Sequence, residues 1–189
     1  MSSMTTGPQH AAEQEDDILE QLLEQHDRIR QLFAETMESD GEAKKQCFDE
    51  LRGLLAVHET AEEMILRPVA KRVAGKYEAD ARNEEESQAN KELAALEDLD
   101  VHSAEFDAKL AQFQRAVEHH AQHEEREEFP QIRAACDIDE RRSMGRRLRA
   151  AERMAPTHPH PAAAGSTAAQ WTVGPFAALL DRAKDAMRS

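Results

Sequence analysis

No run in the 189-residue chain approaches the about 18 consecutive apolar residues that a membrane-spanning helix needs, and the opening MSSMTTGPQHAAEQED has no apolar export core. This pattern argues against a membrane partner and makes the cytoplasm the expected compartment. Two cysteines, Cys47 and Cys136, are too few for a disulfide scaffold and are expected as reduced thiols without assigned chemistry. Glycine and proline number seven each and aromatic residues make up 4% of the chain, so the composition lacks what strand-rich and turn-rich proteins use. Basic charge is scarce as well. Lys and Arg number 24 against 38 Asp and Glu, for a net charge of −14, and the one dense basic cluster, Arg141 to Arg149, decorates a single predicted helix. A nucleic-acid partner needs a basic face to neutralise phosphates, and none is expected here.

What is abundant is Ala, Glu, Leu, Gln and Arg, all good helix formers, which predicts an all-α protein. A hydrophobic fraction of 40% suffices for one four-helix core and not for two. After a patternless leader over 1–15, a first helix is predicted over about Asp16–Glu38, with Leu19, Leu22, His26, Ile29 and Phe33 on one face. Ser39, Asp40 and Gly41 close it. A second helix, about Glu42–Val73, carries Phe48, Leu51, His58, Glu62 and Ile65 on one face, and Pro68 should kink it or end its regular part. The third, about Asp80–Leu99, aligns Glu86, Ala89, Leu93 and Leu96. Ser103 opens the fourth, whose stripe runs through Phe106, Leu110, Phe113, Val117, His120 and Glu124 toward Ile132. Short connections between four such helices predict an up-down-up-down bundle over 16–137. A fifth helix follows at about Ile138–Met154, then a Pro/Ala-rich linker and a short amphipathic helix, FAALLDRAKDAM, expected to dock through Phe176, Leu179 and Leu180.

The two halves share a repeat, HETAEEMILRP at 58–68 and HAQHEEREEFP at 120–130, each with His and Glu four residues apart and Pro ten residues after the His. A spacing of four stacks His58 over Glu62 and His120 over Glu124 on one helix face, so each pair can grip a cation through a ring nitrogen and a carboxylate oxygen. Both pairs fall on stripes that face the bundle interior, as does His26. A buried unpaired carboxylate costs several kcal/mol unless a metal or partner charge compensates it, and a dinuclear centre would compensate both. A lone inward His such as His26 is more often a satisfied core residue, and a run such as EEREE is more often a solvated face. Glu63, Glu125, Glu127 and Glu128 are read that way. His10, His102, His158 and His160 fall in loops or tails, His119 on the surface, and His123 at the edge of the site. The conjunction of two repeated pairs with a third inner His is what favours a metal. Imidazole with carboxylate suits iron, manganese or zinc, and paired carboxylates in a four-helix bundle favour two irons.

On LLEQHDRIRQLF, HETAEEMILRP, LEDLDVHSAEFDAKL and VEHHAQHEEREEFP, covering about residues 17–135, the sequence resembles the hemerythrin family, in the branch known as HHE cation-binding domains, and is similar to its bacterial members. The tail, APTHPHP followed by GPFAALLDRAKDA, also looks like a C-terminal extension found in some of them. The resemblance implies a four-helix bundle around a non-heme di-iron site that binds oxygen or related small ligands, with His26, His58 and His120 as ligands and Glu62 and Glu124 as bridges. The third helix departs from the family pattern, which places a His there. Counting back from Phe106 puts Glu86 at that position, whereas counting forward from His58 gives Gln88. Helix periodicity favours Glu86, with Gln88 and Glu85 as alternatives.

Three histidines and three glutamates form a carboxylate-rich set that favours ferric iron, so turnover of O2, H2O2 or NO, in a catalase- or peroxidase-like or NO-handling role, is expected over reversible oxygen carriage. A non-enzymatic iron or oxygen sensor, meeting a protein partner through the tail with Trp171, is the alternative. A structural bundle whose inner His and Glu merely pair is the third reading.

Overall fold

The structure, a computed structural model, describes residues 17–73 and 75–154. The leader, the linker and the short C-terminal piece lie outside the described residues, as do the side chain of Glu86 and those of several α4 neighbours. Every regular element described is helical. The helices are α1 (Ile18–Glu38), α2 (Gly41–Ala61), α3 (Arg67–Val73), α4 (Lys76–Glu97), α5 (Ala104–His123), α6 (Phe129–Ala135) and α7 (Ile138–Met154). Two π-helical turns, Glu62–Leu66 and Glu124–Glu128, join α2 to α3 and α5 to α6. None of the described helices is long and apolar enough to cross a membrane.

Helix starts are set by local chemistry. The Asp17 carboxylate accepts from the Leu19 N–H at 3.1 Å and caps α1, while the Ser103 hydroxyl accepts from the Phe106 N–H at 3.1 Å and caps α5. Such caps are each worth about 1 kcal/mol. Gly41, expected to close the first helix, instead opens the second. Gly75 turns the chain into α4 at φ 94°, a backbone conformation that favours glycine.

Cross-helix contacts give the topology. Arg28–Glu50 and Gln25–His58 run α1 antiparallel to α2, and Arg30–Glu118, His26–Glu125 and Glu20–Arg133 run it antiparallel to the α5–α6 rod. Lys44–Asp107 and Arg67–Glu128 keep a nearly constant offset, so the α2–α3 and α5–α6 rods are parallel. The result is the up-down-up-down bundle, with the two repeats side by side at one level.

The core is divided into two parts. One apolar cluster joins Ile29, Leu32, Phe33, Leu51, Leu96, Phe106, Leu110 and Phe113. The other joins Ile18, Leu19, Leu22, Leu66, Phe129 and Ile132 with Met144 and Leu148 of α7, so the fifth helix closes that end of the bundle. Arg141 fastens it there, its Nε donating to Asp17 at 2.9 Å. Between the two clusters lies a layer of buried His and Glu.

The π turns explain the repeated proline. In each, an N–H bonds the carbonyl five residues back, Arg67 to Glu62 and Phe129 to Glu124, one residue wider than an α-turn. Pro68 and Pro130 follow directly. A proline lacks the N–H and crowds the carbonyl four residues back, and the wider turn makes room for it while the rod continues. The expected break at Pro68 is therefore a bulge placed ahead of it.

Candidate metal centre

The layer is assembled from three rods. His26 comes from α1, His58 and Glu62 from the end of α2 and its π turn, and His120 and Glu124 from the end of α5 and its π turn. Glu62 and Glu124 are fully buried, and His26 and His58 are nearly so at 2% and 4% exposure. His26, His58, Glu62 and Glu124 each present one ligand atom, and these atoms all lie within 4.8 Å of one another.

The carboxylates divide their oxygens between two sides. Glu62 turns Oε1 toward His58 Nε2 at 3.4 Å and Oε2 toward His120 Nε2 at 3.8 Å. Glu124 turns Oε2 toward His26 Nε2 at 3.4 Å and Oε1 toward His120 Nε2 at 3.3 Å. His26 and His58 meet Nε2 to Nε2 at 3.2 Å. Thus one side of the carboxylate pair faces two imidazoles and the other faces one.

Each imidazole is held from behind through Nδ1. His58 Nδ1 donates to Gln25 Oε1 at 2.9 Å, and Gln25 Nε2 donates in turn to Glu152 of α7 at 2.6 Å. His26 Nδ1 bonds Glu125 at 2.8 Å, and Arg30 donates to that same carboxylate. His120 Nδ1 bonds Glu85 Oε2 of α4 at 3.0 Å. An acceptor at Nδ1 fixes the tautomer that leaves Nε2 free, and this is how metal-binding histidines are oriented.

The donor set passes a direct test. Both oxygens of Glu62, both oxygens of Glu124 and Nε2 of His120 are buried without a hydrogen-bond partner among the described residues. Carboxylates in that position carry a desolvation penalty of several kcal/mol. Cations held on the two sides of the carboxylate pair would satisfy these atoms, and the residues present fit a metal.

Electrostatics follow from the packing. Burial pushes His120 down, but the charge and contacts of Glu124, with Glu62 and Glu85, outweigh it and hold the imidazole well above its ordinary 6.5. Burial likewise opposes His26, which Glu124, Glu62 and Glu125 carry upward. For His58 burial wins, and its value falls. Burial would raise Glu124, yet His120, His26 and His58 hold it well below the usual carboxylate range.

Of the residues expected at the site, His26, His58, Glu62, His120 and Glu124 come together in one layer. Gln88 is exposed and donates to Glu92. Glu85 sits behind His120, bonded to its Nδ1, on the side away from the carboxylates. Glu128 corrects an expectation: it is buried rather than solvated, paired with the buried Arg67 at 3.1 Å, and desolvation pushes its carboxyl up to about 7. Arg67 also stands 3.9 Å from Glu124. Glu125, also read as solvated, is instead half-buried against His26 Nδ1 and Arg30, and Gln25 and Arg67 escaped the sequence reading. The one signal for Arg67 and Glu128 was the matched proline, since a bulge before it shifts the inward face by one residue.

A cavity of about 30 Å³ adjoins the three imidazoles, walled by Ile29, Phe33, Leu55 and Val117. A water needs roughly 10–15 Å³ on this measure, so the space takes a water pair or a diatomic molecule.

The sequence profile of the hemerythrin HHE cation binding domain matches residues 17–132. An uncharacterized hemerythrin-like protein of Schizosaccharomyces pombe (strain 972) is 25% identical over 136 residues, covering 70% of this chain and 67% of that one. No solved structure matches.

Proposed function

Because the chain belongs to the hemerythrin HHE cation-binding family, and is thereby a metal-binding helical domain, we propose that it holds two non-heme iron ions and reacts with O2, H2O2 or NO. The observation that carries this reading is the division of the Glu62 and Glu124 oxygens between two imidazoles on one side and one on the other. His26 and His58 would hold one ion and His120 the other, with Glu62 and Glu124 shared. Glu86 is our assignment for the α4 ligand. Iron bound by imidazole and carboxylate supplies one-electron chemistry and open coordination positions for small ligands.

The chain's own contribution is selection and orientation. The cavity beside His26, His58 and His120 has space for a diatomic-sized ligand against largely apolar walls. Gln25, Glu125 and Glu85 hold the rings so that every Nε2 points inward. A set of three His and three Glu is rich in hard anionic donors and favours the oxidised metal, so consumption of H2O2 or NO is favoured over reversible oxygen carriage. We place this activity in the cytoplasm.

The sensor reading has its own support. The chain of hydrogen bonds from His58 through Gln25 to Glu152 ties the centre to α7, the helix that leads into the C-terminal region. Metal analysis and optical spectra of protein made under iron-replete conditions, with H2O2 and NO consumption assays, test the proposal. Two irons per chain with turnover of either substrate are expected. A reversible, long-lived oxygen adduct without turnover would overturn the reactive reading, and iron-free protein would overturn the metal assignment.

A further inference from the structure

Outside the inner layer, a second group of metal-binding side chains gathers at the bundle surface. His119 and His123 stand on successive turns of α5 with ring centroids 4.1 Å apart. Glu85 faces them from α4, its Oε1 3.2 Å from His123 Nδ1. One ligand atom from each of the three lies within 4.8 Å of the others. His119 is exposed, and His123 and Glu85 are each 29% exposed, so an ion in solution reaches this group without opening the bundle.

We propose that His119, His123 and Glu85 form a separate surface site for a divalent cation of the imidazole-preferring class, copper(II) or zinc. Two histidines four apart on one helix face are a chelating pair, because successive turns bring both rings to the same point. Glu85 adds an anionic oxygen from the neighbouring helix. Three protein donors leave the remaining positions to water, so the site is open and exchangeable rather than closed and structural. Its donors differ from the six assigned to the inner centre, and its existence does not depend on iron being there. The two are nevertheless joined: Glu85 offers Oε1 to His123 and Oε2 to His120. A cation at the surface draws on the same carboxylate that orients His120.

The test uses the full chain with its inner metal retained, in a His158→Ala, His160→Ala background that removes the two tail imidazoles. Titration with copper(II) sulfate followed by electron paramagnetic resonance is expected to give one bound copper per chain, with hyperfine structure from two nitrogens and no loss of the metal already present. His119→Ala should weaken that copper by at least about tenfold and remove one nitrogen coupling, with unchanged helix content and inner metal. Zinc should compete for the copper signal. Copper binding of equal strength in His119→Ala, or copper taken up only as the inner metal is released, would overturn the site. Because His119 is exposed, its replacement leaves the fold intact and the comparison readable.

Discussion

The two H-x-x-x-E turns are alike in sequence and differ in setting. His58 is sealed in the bundle and its Nδ1 meets a neutral acceptor, Gln25, so burial dominates and its basicity falls. His120 is buried too, but Glu124 and Glu62, with the Glu85 carboxylate at its Nδ1, drive it the opposite way. The repeat places matching His–Glu pairs, but their surroundings differ: burial outweighs the charges around His58, whereas Glu124, with Glu62 and Glu85, outweighs it at His120. One duplicated motif thus gives two imidazoles of different basicity, and a carboxylate behind a ring raises its basicity more than an amide does.

The largest effect tests what the two turns share. Glu62→Ala or Glu124→Ala is expected to remove most of the iron from both positions, since each carboxylate faces the imidazoles of both sides. Metal analysis of the purified variants checks it. Retention of two ions in either variant would mean that these carboxylates are not shared.

The next effect tests what separates them. Glu85→Gln gives His120 the kind of neutral partner that His58 has, and should weaken one ion by about 10–100-fold. Gln25→Leu removes a neutral hydrogen bond worth about 1 kcal/mol and should cost about fivefold at the other ion. Competition with a chelator measures both. Equal losses would erase the asymmetry.

The His and Glu of both turns were legible because a spacing of four puts them on one face, and its recurrence beside Pro68 and Pro130 is beyond what composition produces. The fold was legible too, since α1, α2 and α5 carry clean apolar stripes. What stayed hidden depends on geometry that a 3.6-residue period does not contain. The π turns insert a residue without changing the hydrophobic pattern, and they turn Arg67 and Glu128 into a buried ion pair where EEREE reads as solvated. The partners at Nδ1 come from other helices, so no local spacing announces Gln25 behind His58 or Glu125 behind His26. Helix α4 has the weakest stripe, with Leu93 and Leu96 buried at one end and a run of polar residues at the other.

A smaller effect appears with pH. In metal-free protein, His26 and His120 lie above 6.5, so their contribution is fully present below 6.5 and is lost as pH rises through their folded values. Glu128, pushed from 4.5 up to about 7, also withdraws stability as pH rises through that interval. His58 acts the other way, costing stability as pH falls below 6.5. Between pH 6 and 8 the first three prevail, and the melting temperature of the metal-free protein should fall by a few degrees, on the order of 2–4 °C for each kcal/mol. Metal binding needs deprotonated imidazoles, so the loaded protein should gain stability over the same range. Slopes of the same sign in the two forms would show that the inner histidines do not govern the response.

The smallest effect belongs to Gln88, and it sharpens the assignment on α4. Gln88 is exposed and its amide donates to Glu92, one turn along the same helix, at 3.2 Å. Gln88→Ala therefore removes a surface contact and should change stability by less than about 0.5 kcal/mol, with iron content unaltered. Glu86→Ala, two residues earlier, should instead weaken or remove one ion, because position 86 shares a helix face with Ala89, Leu93 and Leu96, of which Leu93 and Leu96 are buried. Two residues on an α-helix are about 200° apart, so both cannot face the centre. An iron loss in Gln88→Ala with none in Glu86→Ala would move the α4 ligand to the opposite face and refute the periodicity argument on which Glu86 rests.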